Sequence, residues 1–150
     1  MLSVLGETLF HVGGVGDGHR AKLINNTVQH GSFVVAAEAL ALAANVGVDQ
    51  ETMFDVIDSG MGSSELLRAK FGKAFENDFD ATDGSPIYHA RKDVKYALDM
   101  GFESDFVMHV AAAVEENYGL ATAVGDGEKD YSIMLRVLEN LGEDGPGNST

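Results

Sequence analysis

The sequence predicts an all-α bundle of five to six helices built around one long N-terminal helix. Three observations lead there. Only two prolines occur in 150 residues, Pro86 and Pro146, so nothing interrupts a helix before residue 80. Apolar residues beyond the opening segment show little alternation and recur instead at three- and four-residue spacing. The stretch "DGHRAKLINNTVQHGSFVVAAEALALAANVG" runs about thirty residues without proline and is rich in Ala and Leu.

Each element follows in order. "GETLFHV", residues 6 to 12, reads as a short strand of mixed polarity ending at Gly13-Gly14. Asp17 is expected to cap the long helix and Gly47 to stop it. In its second half Phe33, Val34, Val35, Ala37, Leu40, Ala41 and Ala44 fall on nearly every face, which predicts burial all round. Asp49 caps a second helix, "QETMFDVIDS", that ends at Gly60. Ser63 or Ser64 caps a third, with Glu65 complementing its dipole. "NDFDATDGSP", residues 77 to 86, is the clearest loop. A fourth helix is expected from His89 to Met100, stopping at Gly101. A fifth runs from Asp105 to Ala121, with Val107, Val110, Ala111, Val114, Tyr118 and Ala121 as its apolar stripe. Asp130 caps the last helix, which carries Ile133, Met134, Val137, Leu138 and Leu141. Residues 142–150 read as a flexible tail.

Composition bounds the function. Apolar residues make up 45% and charged residues 23%, values of an ordinary globular domain. Ten Lys plus Arg against 24 Asp plus Glu leave a formal charge of −14, which argues against nucleic acid or an anionic membrane surface as partner. Without cysteine there is no disulfide framework, thiolate metal site or Cys nucleophile. No apolar run reads as long enough to span a bilayer, and "MLSVLGETLF" lacks a basic leader, so a cytoplasmic protein is expected. His19, His30 and His89 show no paired ligand spacing, and no metal is expected.

The glycines at 13, 14, 16 and 18 suggest a phosphate cradle, yet they fail its registers. Counting G-x-G-x-x-G from Gly14 puts His19 at the third glycine, and counting from Gly16 puts Ala21 there. No Gly-Lys-Ser/Thr follows either. A turn delivering the chain into a helix fits better. Behind it, Gly18, Lys22, Asn26 and His30 are spaced four apart along one helix face. A lysine on a helix that becomes increasingly apolar is open to desolvation, which would lower its pKa and make the ammonium a proton donor near neutral pH. It could equally snorkel to solvent. Asn26, which donates and accepts, could hold the lysine or bind a substrate hydroxyl. "RKDVK", residues 91 to 95, reads on its own as a solvated helix start. Asp130 and Ser132 read as a cap and its turn.

"GGVGDGHRAKLINN" resembles the Gly-x-Gly-x-x-x-Lys-x-x-Asn-Asn segment of the β-hydroxyacid dehydrogenases, the group of 3-hydroxyisobutyrate dehydrogenase and tartronate semialdehyde reductase. The matching residues are Gly16, Gly18, Lys22, Asn25 and Asn26. "EALALAANVGVD", "GMGSS", the Lys92-Asp93 pair of "ARKDVKYALDMG" and "GDGEKDYS" continue the resemblance in order, over roughly residues 7 to 141. Where many relatives have an aromatic residue near the serines, this chain has Glu65.

The resemblance implies the all-α C-terminal domain of the wider 6-phosphogluconate dehydrogenase-like fold, here residues 15–141. Residues 1–14 would then be a strand or linker left from a missing Rossmann domain. It implies Lys22 as catalytic acid/base, Asn26 and Gly18 toward substrate, and Lys92, Asp93 and Ser63 toward the cofactor. That cofactor would be NAD or NADP in the full-length context, with none expected on this chain alone. The implied partners are a Rossmann domain in cis or trans, a small hydroxyacid, and a second copy in a homodimer or higher oligomer. A stand-alone, non-catalytic helical interaction module is the competing reading.

Overall fold

The computed structural model describes residues 8–76 and 84–143. Their elements are α1 (Asp17–Asn45), α2 (Gln50–Ser59), α3 (Glu65–Glu76), α4 (Ile87–Glu103), α5 (His109–Ala123), a 3₁₀ turn (Tyr131–Ile133) and α6 (Met134–Glu143). The expected all-α bundle around one long helix is what is found. α1 packs most extensively against α6 and α4, with α4 also laid along α5. The expected strand does not form over residues 8 to 12, which are exposed and irregular; residues 6 and 7 lie outside the described set. An extended segment without a neighbour to share its hydrogen bonds gains nothing against its conformational entropy.

Helix ends explain the other shifts. Asp17 is the first residue of α1 rather than its cap; Gly16 holds that place at φ 95°. Gly47, at φ 79°, closes α1 as expected, donating to Ala44 while Val48 donates to Ala43. This is the Schellman pattern, in which a left-handed residue satisfies the last carbonyls. α4 ends the same way, but at Asp105 (φ 55°) instead of Gly101. Phe106 donates back to Gly101 at 2.8 Å. A Cβ on Gly101 would meet the Phe106 carbonyl at 2.9 Å, so that glycine permits close approach and does not stop the helix. With Asp105 left-handed, α5 starts only at His109, and Val107 and Val110 are exposed while Ala111, Val114, Tyr118 and Ala121 are buried. Asp49 caps α2 by accepting from Thr52 at 2.9 Å, and Ser64 caps α3 by accepting from Leu67 at 3.1 Å. The loop expected at 77 to 86 lies outside the described residues up to 83; of the tail expected over 142–150, Gly142 and Glu143 belong to α6 and the rest lies outside the described residues.

The core joins Phe33, Val34, Ala37 and Leu40 of α1 to Leu67 and Phe71 of α3, Val94 of α4, Tyr118 of α5 and Met134 of α6. Phe33 stacks on Phe71 at 4.8 Å between centroids, with Tyr131 edge-on at 4.9 Å. α1 is not buried all round. Ile24, Val28, Val35 and Leu42 stand exposed along one side, Val35 at 58%. Its length and apolar composition would in fact suffice for a membrane span, contrary to the sequence reading. Eight of its residues are instead buried, five of them in this core.

One buried ion pair ties the ends of the bundle. Asp130, 5% exposed, accepts from Lys70 of α3 at 2.5 Å, from the Ser85 amide at 2.7 Å and from the Ser132 amide at 3.0 Å. It caps the last turn as expected and also anchors the Pro86–Asp130 bridge. Replacing Asp130 with Ala strands the Lys70 ammonium and should lower the unfolding free energy by about 3–5 kcal/mol in urea titration. A loss below about 1 kcal/mol would mean that the pair behaves like an exposed one.

Candidate active site

Lys22 and Asn26 are one turn apart on α1, and both reach the same atom of α4. Lys22 Nζ donates to Asp93 Oδ2 at 2.5 Å, and Asn26 Nδ2 donates to it at 2.8 Å. Asp93 comes into place because α4 buries Ile87, Ala90, Val94, Ala97 and Gly101 at three- and four-residue spacing. That stripe turns Val94 inward and leaves its neighbour at the edge of the α1–α4 contact. The Asp93 side chain is 16% exposed and that of Lys22 is 51% exposed. The carboxylate is therefore sheltered and the ammonium open.

Burial pushes the Asp93 carboxyl upward. The Lys22 and Asn26 hydrogen bonds, with the Lys22 and Lys92 charges, outweigh it and hold the group below its usual range. An ionised Asp93 fixes one ammonium proton and leaves two free to point at a ligand oxygen. Half of the Lys22 side chain is exposed, so of the two alternatives the lysine that reaches toward solvent describes this chain. Asn26 reaches the lysine through Asp93 and keeps its carbonyl oxygen for a ligand.

The other expected site residues are engaged in different ways. Asp93, expected beside a cofactor, is engaged by Lys22 and Asn26. Lys92 is exposed and acts on Asp93 through its charge. Gly18 lies in the first turn of α1, where a Cβ would meet nothing within 4 Å, so no contact in this chain requires a glycine there. The Ser63 hydroxyl is consumed by structure: it donates to Asp58 at 2.6 Å, and Arg68 bonds both. The cluster joins α2 to α3.

Sequence reading missed the floor beneath the site. His30, the next residue along the Lys22–Asn26 line, is buried, and its Nδ1 is 3.0 Å from the Tyr118 hydroxyl. Its ring meets Tyr118 and Tyr131 edge-on. The available signal was a lone histidine entering the apolar half of a helix. Among the described residues no group of three or more His, Asp or Glu is arranged to hold a metal.

These features define a class: a helical domain that presents a half-exposed lysine and a neighbouring asparagine from one long helix. Residues 16–138 match the family described as NAD-binding of NADP-dependent 3-hydroxyisobutyrate dehydrogenase. The chain belongs to that family, as a helical domain of the β-hydroxyacid dehydrogenases. It is 31% identical over 142 residues to 2-(hydroxymethyl)glutarate dehydrogenase of Eubacterium barkeri, covering 94% of this chain and 46% of that protein. It is 30% identical over 136 residues to glyoxylate/succinic semialdehyde reductase 1 of Arabidopsis thaliana, covering 91% and 46%. The crystal structure of 3-hydroxyisobutyrate dehydrogenase from Salmonella typhimurium superposes with a TM-score of 0.74 at 25% identity, over 81% of this chain and 42% of that one. The chain thus spans less than half the length of these relatives.

The buried His30 sets an acid limit on this floor. Burial lowers its pKa from 6.5 to about 4, the Asp93 charge pulling it back up and the Lys22 charge adding to the fall. Above pH 6.5 the imidazole is neutral in both the folded and unfolded chain. Between there and about pH 4 only the unfolded chain takes up the proton, so stability falls across that window, by about 3 kcal/mol in all. His30→Gln, which can still bond Tyr118, should flatten this slope in urea titrations at pH 7, 5.5 and 4. An unchanged slope would assign the acid sensitivity to other groups.

Proposed function

We propose that this chain is the proton-transferring and dimer-forming half of an NAD(P)-dependent β-hydroxyacid dehydrogenase acting on a small 3-hydroxyacid or semialdehyde. The observation that carries the proposal is the Lys22 ammonium, held on one side by Asp93 and free on the other. As a substrate carbonyl is reduced, charge grows on its oxygen, and a pre-positioned N–H can deliver a proton there. In the oxidising direction the amine takes up the hydroxyl proton. Asp93 keeps Lys22 in place through both directions, and the Asn26 carbonyl is left for another donor on the substrate.

Two features of the described residues support a dinucleotide held mainly outside them. Those residues contain no parallel sheet, and the α1 N-terminus that a pyrophosphate would seek is closed by Asp17. That carboxylate accepts from the Gly14 amide and from Arg20, each at 2.8 Å. On this reading the hydride carrier is held by another domain, in cis or in trans, and the chain by itself should not turn over. Joined to a dinucleotide-binding half, it should oxidise small hydroxyacids with NAD or NADP, and Lys22→Ala should lower the rate by about 10²-fold or more. Full activity of Lys22→Ala would reject the assignment. Turnover by the isolated chain would reject the division of labour.

The exposed stripe of Ile24, Val28, Val35 and Leu42 supports self-association, since such surfaces on a long helix commonly pair. It also favours the second reading, a non-catalytic interaction module. Light scattering should show a dimer or larger species that dissociates on Leu42→Glu, and a strict monomer at micromolar concentration would contradict this. Only the first reading predicts that Lys22→Ala matters.

A further inference from the structure

One face of α1 is turned away from both the core and the Lys22 site. With about 100° per residue, Ile24, Val28, Val35 and Leu42, and Val46 just past the helix end, fall within about 40° of one another. Lys22 lies about 140° round the helix from Val35. All members of this stripe are exposed, Val28 at 68% and Leu42 at 61%. Their order reads the same in both directions about Val35. Val28 and Leu42 stand seven residues before and after it, and Ile24 and Val46 eleven.

The positions between them match as well. Gly31 and Ala39 stand four residues to either side of Val35, and Ser32 and Glu38 three. Gly31 sits in mid-helix, where glycine is unfavourable, yet a Cβ there would meet nothing within 4 Å. No contact among the described residues asks for a glycine at that point, whereas a second helix laid across it would gain a closer approach. At the start of the stripe the surface drops into a cavity of about 460 Å³ between α1, α4 and the α4–α5 connection. Ile24, Val28, Ala97, Met100, Phe106 and Met108 line it. Its two hydroxyls are committed to backbone carbonyls, Thr27 donating to Leu23 and Ser104 to Met100, each at 2.9 Å. The opening is therefore apolar.

We infer that α1 pairs antiparallel with α1 of a second copy, about a two-fold axis passing at Val35, and that Leu42 and Val46 of each copy close the apolar cavity of the other. The inference rests on the self-association proposed above and specifies its surface and register. A two-fold interface has to be complementary to itself. In this register Val28 meets Leu42, Ile24 meets Val46, and the small Gly31 meets the small Ala39. The Ser32 hydroxyl faces the Glu38 carboxylate, to which it can donate. A parallel pair would instead set Glu38 against Glu38, adding repulsion to a chain that already carries −14. The antiparallel sense also places the positive end of each helix dipole beside the negative end of the other. Since the stripe lies across the helix from Lys22, the pairing leaves the Lys22 face of each copy uncovered.

The chain has no cysteine, so single cysteine substitutions report the register directly. Val35→Cys should cross-link to itself with a short bis-maleimide. Val28→Cys alone and Leu42→Cys alone should not, because like positions then lie about 21 Å apart along the helix axis. Mixed together, those two variants should link to each other. All three side chains are exposed, so the fold should survive each change. A dimer in light scattering whose variants link only like to like, or that gives no link at Val35, would overturn the register and leave self-association standing. A strict monomer with no link at any position would overturn both, and assign the stripe to another domain of a longer protein.

Discussion

A single carboxylate oxygen, Asp93 Oδ2, holds the two functional side chains of α1 and crosses the contact between α1 and α4 to do so. Lysine has four rotatable bonds and a strongly hydrated head, so without a fixed partner it would sample solvent. Asp93 removes most of that freedom and stays ionised because the attraction of Lys22 and Lys92 exceeds the penalty of its own burial. The ammonium is thus placed by a short hydrogen bond yet remains exposed enough to meet a ligand.

The rest of the bundle fixes the distance between α1 and α4. Below Asn26 the α1 face runs into His30, which meets Tyr118 of α5 and Tyr131 ahead of α6. Burial raises both tyrosine pKa values, so both hydroxyls stay protonated as hydrogen-bonding groups. Lys70 lies over the Tyr131 ring at 4.3 Å and pairs with Asp130, whose second role is to receive the chain returning at Ser85. A Cβ on Gly84 would collide with that carboxylate, which is why the chain enters α4 through a glycine. Aromatic stacking, a buried ion pair and a histidine–tyrosine contact all converge on the start of α6. They give the bundle one packing arrangement and the Asp93 clamp one geometry.

Much of this was legible in the sequence, and the misses have identifiable causes. α2 was readable to the residue because Asp49 and Gly60 carry their end signals locally. Gly47 worked for the same reason. Gly101 misled because a glycine that permits close approach and one that ends a helix look alike until the partner strand of chain, here Phe106, is known. The strand expected at residues 6 to 12 does not form over the described residues 8 to 12 because strand formation is a property of pairs. In the site, Lys22 and Asn26 stood out through their four-residue spacing on one helix. Their union with Asp93, 67 residues away from Asn26, is a tertiary fact that no local pattern encodes. Lys70–Asp130 and His30–Tyr118 were hidden in the same way, each joining residues that only packing brings together.

The clamp can be measured directly by following the Asp93 carboxyl carbon by NMR as the pH is lowered. The account predicts a midpoint below the ordinary aspartate value of 3.8. It further predicts that Lys22→Met moves that midpoint upward, because burial then acts with only Asn26 and the more distant Lys92 charge against it. An Asp93 that titrates at or above 3.8 and is indifferent to Lys22→Met would show that the two side chains are not joined, and the site would have to be built on other residues.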